Sequence, residues 1–121
     1  MSTIGMIEEV ENNGDKEFWG YIRTLKLNLS LRIKENRDFK SSPNSPDYLI
    51  LAKTPNGEET QVGQAWLKVP NKRESKISEF MSITIDDPDM DKPLNVAAFP
   101  KGDKKWDITF RRRQINTSNT N

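Results

Sequence analysis

From residue 25 to residue 34 apolar and polar side chains alternate strictly. Leu25, Leu27, Leu29, Leu31 and Ile33 occupy the odd positions; Lys26, Asn28, Ser30, Arg32 and Lys34 occupy the even ones. A strand turns successive side chains to opposite faces, so the pattern predicts a ribbon with one apolar and one wetted face. A helix would scatter the same leucines around its circumference. The period recurs along the chain. Residues 3–10 read as a first strand, closed by the turn signal Asn12-Asn13-Gly14-Asp15. Residues 17–34 form a second extended stretch, too long for one ordinary strand, in which Gly20 marks the expected bulge or bend. Phe18 and Ile22 fall on even positions there, Trp19 and Tyr21 on odd ones, so both faces are apolar and burial on two sides is expected.

Further along, Ser41-Ser42-Pro43-Asn44-Ser45-Pro46 reads as a loop. Residues 48–54 and 60–69 form a hairpin around Pro55-Asn56-Gly57. Residues 70–76 are a polar connection, 80–85 alternate as a strand, and the proline- and aspartate-rich residues 86–93 break it. A short strand over 94–99, a turn at 100–104 and a last strand over 106–112 complete the pattern. No helical period occurs. Six or seven strands at this spacing predict an all-β, single-domain antiparallel meander, closed into a small barrel or folded into a sandwich. The domain is expected to span 1–113; residues 114–121, apolar only at Ile115, are expected to be a disordered C-terminal tail.

Composition narrows the chemistry. Only 33% of the 121 residues are hydrophobic, so the core is thin for a chain of one-domain length. The 19 basic and 18 acidic residues nearly cancel, which argues against binding polyanions through bulk charge and leaves local patches. There is no cysteine, which removes thiol and disulfide chemistry, and no histidine, which removes the commonest general base, zinc ligand and pH switch. No apolar run approaches the length of a membrane span, and the acidic Glu8-Glu9 follow the start without a basic leader, so a cytoplasmic location is expected.

An ordered set of short segments resembles the bacterial family known as domain of unknown function 736. It comprises Ile4-Gly5, Gly20-Tyr21-Ile22-Arg23-Thr24-Leu25-Lys26-Leu27-Asn28, Lys40-Ser41-Ser42, Pro46-Asp47-Tyr48, Gly63-Gln64-Ala65-Trp66 and Ser82-Ile83-Thr84-Ile85-Asp86-Asp87-Pro88. Residues 54–60, Asp89-Met90-Asp91 and the basic Arg111-Arg112-Arg113 depart from it. The resemblance implies a cytoplasmic protein of plasmids and other mobile elements. It supplies no catalytic residues.

Candidate chemistry is correspondingly spare. Asp86, Asp87, Asp89 and Asp91 could surround a hard cation, but they lack the glycine and distal glutamate of a calcium loop. A solvated turn in which Asp86 or Asp87 accepts hydrogen bonds from its own backbone is the better reading. No shielded carboxylate pair, no serine with a histidine base and no phosphate-cradling glycine loop is present, so no enzyme, cofactor or metal is expected. What remains is a combination of aromatic and basic residues on strands, the equipment with which small barrels hold single-stranded nucleic acid. The candidate phosphate contacts are Arg23, Lys26, Lys68, Lys72, Arg73, Arg111, Arg112 and Arg113; the candidate stacking residues are Tyr21 and Phe99. Residues 101–113 carry six basic and two acidic side chains. Trp19, Trp66 and Trp106 are expected to fill the core. The alternative function is a protein-interaction adaptor, self-associating through an edge strand of an unclosed meander.

Overall fold

A computed structural model describes residues 2–36, 44–69 and 79–110, and every regular element in them is a strand. The strands are β1 (Ser2–Asn12), β2 (Asp15–Arg23), β3 (Asn28–Glu35), β4 (Tyr48–Lys53), β5 (Glu59–Lys68), β6 (Phe80–Ile85), β7 (Leu94–Pro100) and β8 (Lys105–Phe110). Each pairs antiparallel with the next, and β8 returns to β1, from Ser2 opposite Phe110 to Glu8 opposite Lys105. The meander is therefore a closed eight-stranded barrel. The expected barrel-or-sandwich choice falls to the barrel, in which each strand of the described residues is paired on both sides. The disordered tail expected over 114–121 lies outside the described residues.

Tight turns set the meander. Asn13 and Gly14 take positive φ values of 54° and 86°, which both central residues of the two-residue β1–β2 hairpin require. The stretch 17–34 divides into two strands at residues 24–27, which carry no glycine, proline or asparagine. Thr24 makes that reversal: its N–H donates to the Leu27 carbonyl at 2.9 Å, and its Oγ1 accepts the Leu27 N–H at 3.1 Å. The turn also inverts the side-chain parity. Phe18 pairs with Ile33 and Trp19 with Arg32, so even positions face inward on β2 and odd ones on β3. The leucine alternation thus runs through a chain reversal. Leu31 and Ile33 are buried, Leu29 is half-buried, and Leu25 stands fully exposed in the turn.

Gly20 is neither a bulge nor a bend, because it pairs in unbroken ladders with Ile7 and Leu31. It marks a close approach of β1. A Cβ there would lie 2.7 Å from the Ile7 Cα and would drive into the Met6 carbonyl oxygen, so the strands cross where only glycine fits. The register shifts lie instead between Thr3 and Gly5 on β1 and opposite Ile50 and Leu51 on β5.

Side chains fill the interior, as eight strands permit. Ile7, Phe18, Ile22, Ile33, Ile50, Met81, Ile83, Ile85 and Ile108 have essentially no exposure. Phe18 anchors one part of this core, edge-on to Tyr48 at 5.6 Å and to Trp106 at 5.7 Å between ring centroids. The inward-facing residues are apolar, while the outer face mixes polar side chains with Trp19, Leu51, Trp66 and Phe99.

Candidate nucleic-acid interface

With Phe18 and Ile22 inside, β2 turns Glu17, Trp19, Tyr21 and Arg23 to the outer surface. β3 presents Asn28, Ser30, Arg32 and Lys34 beside them, with Trp19 opposite Arg32 and Tyr21 opposite Ser30. On β4, Leu51 continues the Trp19–Arg32 row. An open groove of about 610 Å³ runs over Trp19, Ser30, Arg32, Leu51, Lys53 and Glu59.

Trp19 is the exposed aromatic of this face, at 48%. Its orientation is fixed, because the indole N–H donates to Glu17 Oε1 at 2.8 Å. Glu17 is in turn held by Arg32, whose Nε donates to Oε1 at 2.8 Å and whose Nη2 donates to Oε2 at 2.9 Å. Asn12 adds a longer bond to Oε2 at 3.3 Å, and Arg32 Nη1 reaches Glu59 Oε1 at 2.8 Å. The two-pronged Arg32 contact lowers the Glu17 pKa from its ordinary 4.5 to about 2; burial opposes the shift, and the Trp19 and Asn12 bonds assist it. The same contact raises the Arg32 pKa against the cost of burial. Glu17 thus stays ionised and serves as the hook that positions the indole.

Two residues along the same face, roughly 7 Å away by strand geometry, stands Tyr21. Arg23 covers its ring, with the guanidinium carbon 4.3 Å from the centroid. Lys26 follows, exposed in the turn. The structure therefore brings together two of the residues expected from sequence, Tyr21 and Arg23, and joins Trp19 to them, whereas Lys26 lines a separate groove with Leu25, Asp89 and Met90. Lys68 and Phe99 belong elsewhere. Phe99 is half-buried on the outside of β7, stacked on Phe80 at 5.6 Å and 25°. Phe99 is parted from Tyr21 by Met6 of β1 and Asp107 of β8. Lys68 sits opposite Phe80 at the far end of β5. The set expected from sequence is thus not one patch. Lys72, Arg73, Arg111, Arg112 and Arg113 lie outside the described residues.

The expectation that all three tryptophans fill the core holds for Trp106 alone. Trp66 faces outward, half-buried, with its indole N–H donating to the Asn44 carbonyl at 2.8 Å. Trp19 was missed because β2 is apolar on both faces and a closed single-layer barrel buries only one of them. The available signal was Glu17, a charged residue of the same parity as Trp19, which marks that parity as the outward one. The aspartate segment behaves as a turn: Asp87 Oδ2 accepts the Asp89 N–H at 3.0 Å, and the Met90 N–H donates to the Asp87 carbonyl at 2.8 Å. Among the described residues no three acidic side chains are grouped as metal ligands would be.

No curated protein and no solved structure matches the chain. The family model described as protein of unknown function, DUF736, matches residues 3–113, most of the chain. The Gly20–Asn28 segment that carries the Tyr21–Arg23 pair falls within that match, and the protein belongs to the DUF736 family.

Proposed function

We propose that this protein is a non-catalytic module of a plasmid or mobile-element setting that binds single-stranded nucleic acid on the outer face of β2, β3 and β4. The observation that carries the reading is Trp19, half exposed and oriented by Glu17, on the same strand face as an arginine-capped Tyr21. Aromatic rings on a rigid barrel face accept bases by stacking, without reading their sequence. Cations around the rings then follow the phosphates. Arg23 lies at one end of the row, and Lys34 and Lys53 flank it on β3 and β4. Arg32 does not belong to this set, because Glu17 and Glu59 already engage its guanidinium. Its single charge offsets only one of those two carboxylates, so phosphate attraction has to come from the cations around the cluster.

Titration of a labelled single-stranded oligonucleotide at several salt concentrations tests the reading. Three phosphate contacts give a slope of log affinity against log salt of roughly −2. Trp19→Ala removes one stacking platform worth about 1–3 kcal/mol, so affinity falls roughly 5- to 150-fold. The side chain is half exposed, so the melting temperature stays close to that of the native chain. Absence of binding at low salt, or undiminished binding by Trp19→Ala, refutes the proposal.

A further inference from the structure

A second surface, at the end of the barrel where β1 begins and β8 finishes, has a different character. It is an apolar groove of about 830 Å³. Ile4, Met90, Leu94 and Phe110 line it and pack against the core beneath. Leu25 lines it as well, yet is fully exposed to water. That exposure belongs to an ordered turn, since Thr24 closes residues 24–27 through the two bonds to Leu27. A leucine held out in water beside an apolar hollow is an unfavourable arrangement for an isolated molecule and a favourable one for a contact.

The rim identifies the occupant. Among the described residues it carries Lys26 and Lys92 together with Asp89 and Asp91. A nucleic acid or an anionic membrane would meet the two carboxylates, and a strongly acidic or basic peptide would find half the rim repulsive. A surface bearing its own projection, its own hollow and both signs of charge is instead complementary to itself, as a two-fold interface must be. Among the described residues every strand of the barrel is paired on both sides, so a second copy would meet them through a side-chain surface of this kind. We propose that a second copy of this chain docks here. Leu25 of each copy enters the groove of the other between Met90 and Phe110, while each pair of lysines faces the other copy's pair of aspartates.

Sedimentation equilibrium of the full chain over micromolar to millimolar concentration is the test. A monomer–dimer equilibrium is expected. Leu25→Glu should raise its dissociation constant about a hundredfold, because two leucines per dimer are lost. The melting temperature of the monomer should not move, since Leu25 buries nothing within its own chain. Charge reversal gives an independent reading from exposed positions. Lys26→Glu with Lys92→Glu makes one all-acidic rim, and Asp89→Lys with Asp91→Lys makes one all-basic rim. Each variant alone should sediment as a monomer, and an equimolar mixture should form the heterodimer. A native chain that stays at single-chain mass throughout overturns the proposal, whatever else covers the groove. So does a dimer that Leu25→Glu leaves intact, or two charge variants that fail to combine.

Discussion

Glu17→Gln isolates the interaction that holds the outer face in order. The amide keeps the shape of the carboxylate and one acceptor, which can still serve Arg32 Nε and the Trp19 indole. Its NH2 group, however, takes the place of Oε2, where Arg32 Nη2 at 2.9 Å and Asn12 Nδ2 at 3.3 Å both donate. Donor then meets donor, and the buried side chain loses its charge. Breaking a fully buried ion pair costs about 3–5 kcal/mol. Here Arg32 is one-third exposed and keeps Glu59, so about 2 kcal/mol is expected at neutral pH.

The pH dependence gives the same interaction a second measure. A carboxyl whose folded pKa lies below its unfolded value binds fewer protons in the folded state. Its contribution is therefore complete above about 4.5 and is lost as pH falls toward about 2. A displacement from 4.5 to about 2 corresponds to at most about 3 kcal/mol. Solvent screening through the exposed side of Arg32 reduces this to about 1–2 kcal/mol. Urea denaturation followed by tryptophan fluorescence at pH 7, 5, 4, 3 and 2.5 measures both quantities. The native chain should lose stability more steeply than Glu17→Gln between pH 4.5 and 2.5, and the two curves should converge at the acid end. A Glu17→Gln penalty below about 0.5 kcal/mol at pH 7, or parallel acid limbs, would refute the reasoning.

Gly20→Ala should destabilise the barrel by about 2–3 kcal/mol in the same urea assay, because its methyl group meets β1 backbone atoms that cannot turn aside; an unchanged midpoint would mean that the strands separate freely there. Phe18→Ala should cost about 3–5 kcal/mol, since a fully buried ring that touches both Tyr48 and Trp106 is lost from a filled interior, and a loss under 1 kcal/mol would show that the interior collapses around the gap.

Local pattern alone determined much of this protein. Alternation and turn chemistry located β1 and β4 to β8 within about two residues, read β2 and β3 as one stretch, named the all-β class and the meander, and ruled out histidine and cysteine chemistry. The ordered short segments between Ile4 and Pro88 carried the family. These features are legible because strand period and turn preference depend on neighbours in sequence. Three further features were decided only by the tertiary structure. The reversal at residues 24–27 is made by Thr24 hydrogen bonds in a segment without turn-forming residues, and it swaps the inward parity between β2 and β3. Closure depends on β1 meeting β8, a pairing of residues about a hundred positions apart that no local window records. The placing of Trp19, Tyr21 and Arg23 in water, and the distance of Lys68 and Phe99 from them, follow from that closure, since curvature sets which strands are neighbours and leaves one face of each in water. Alternation reports that a strand has two faces; only the barrel chooses the one that faces inward.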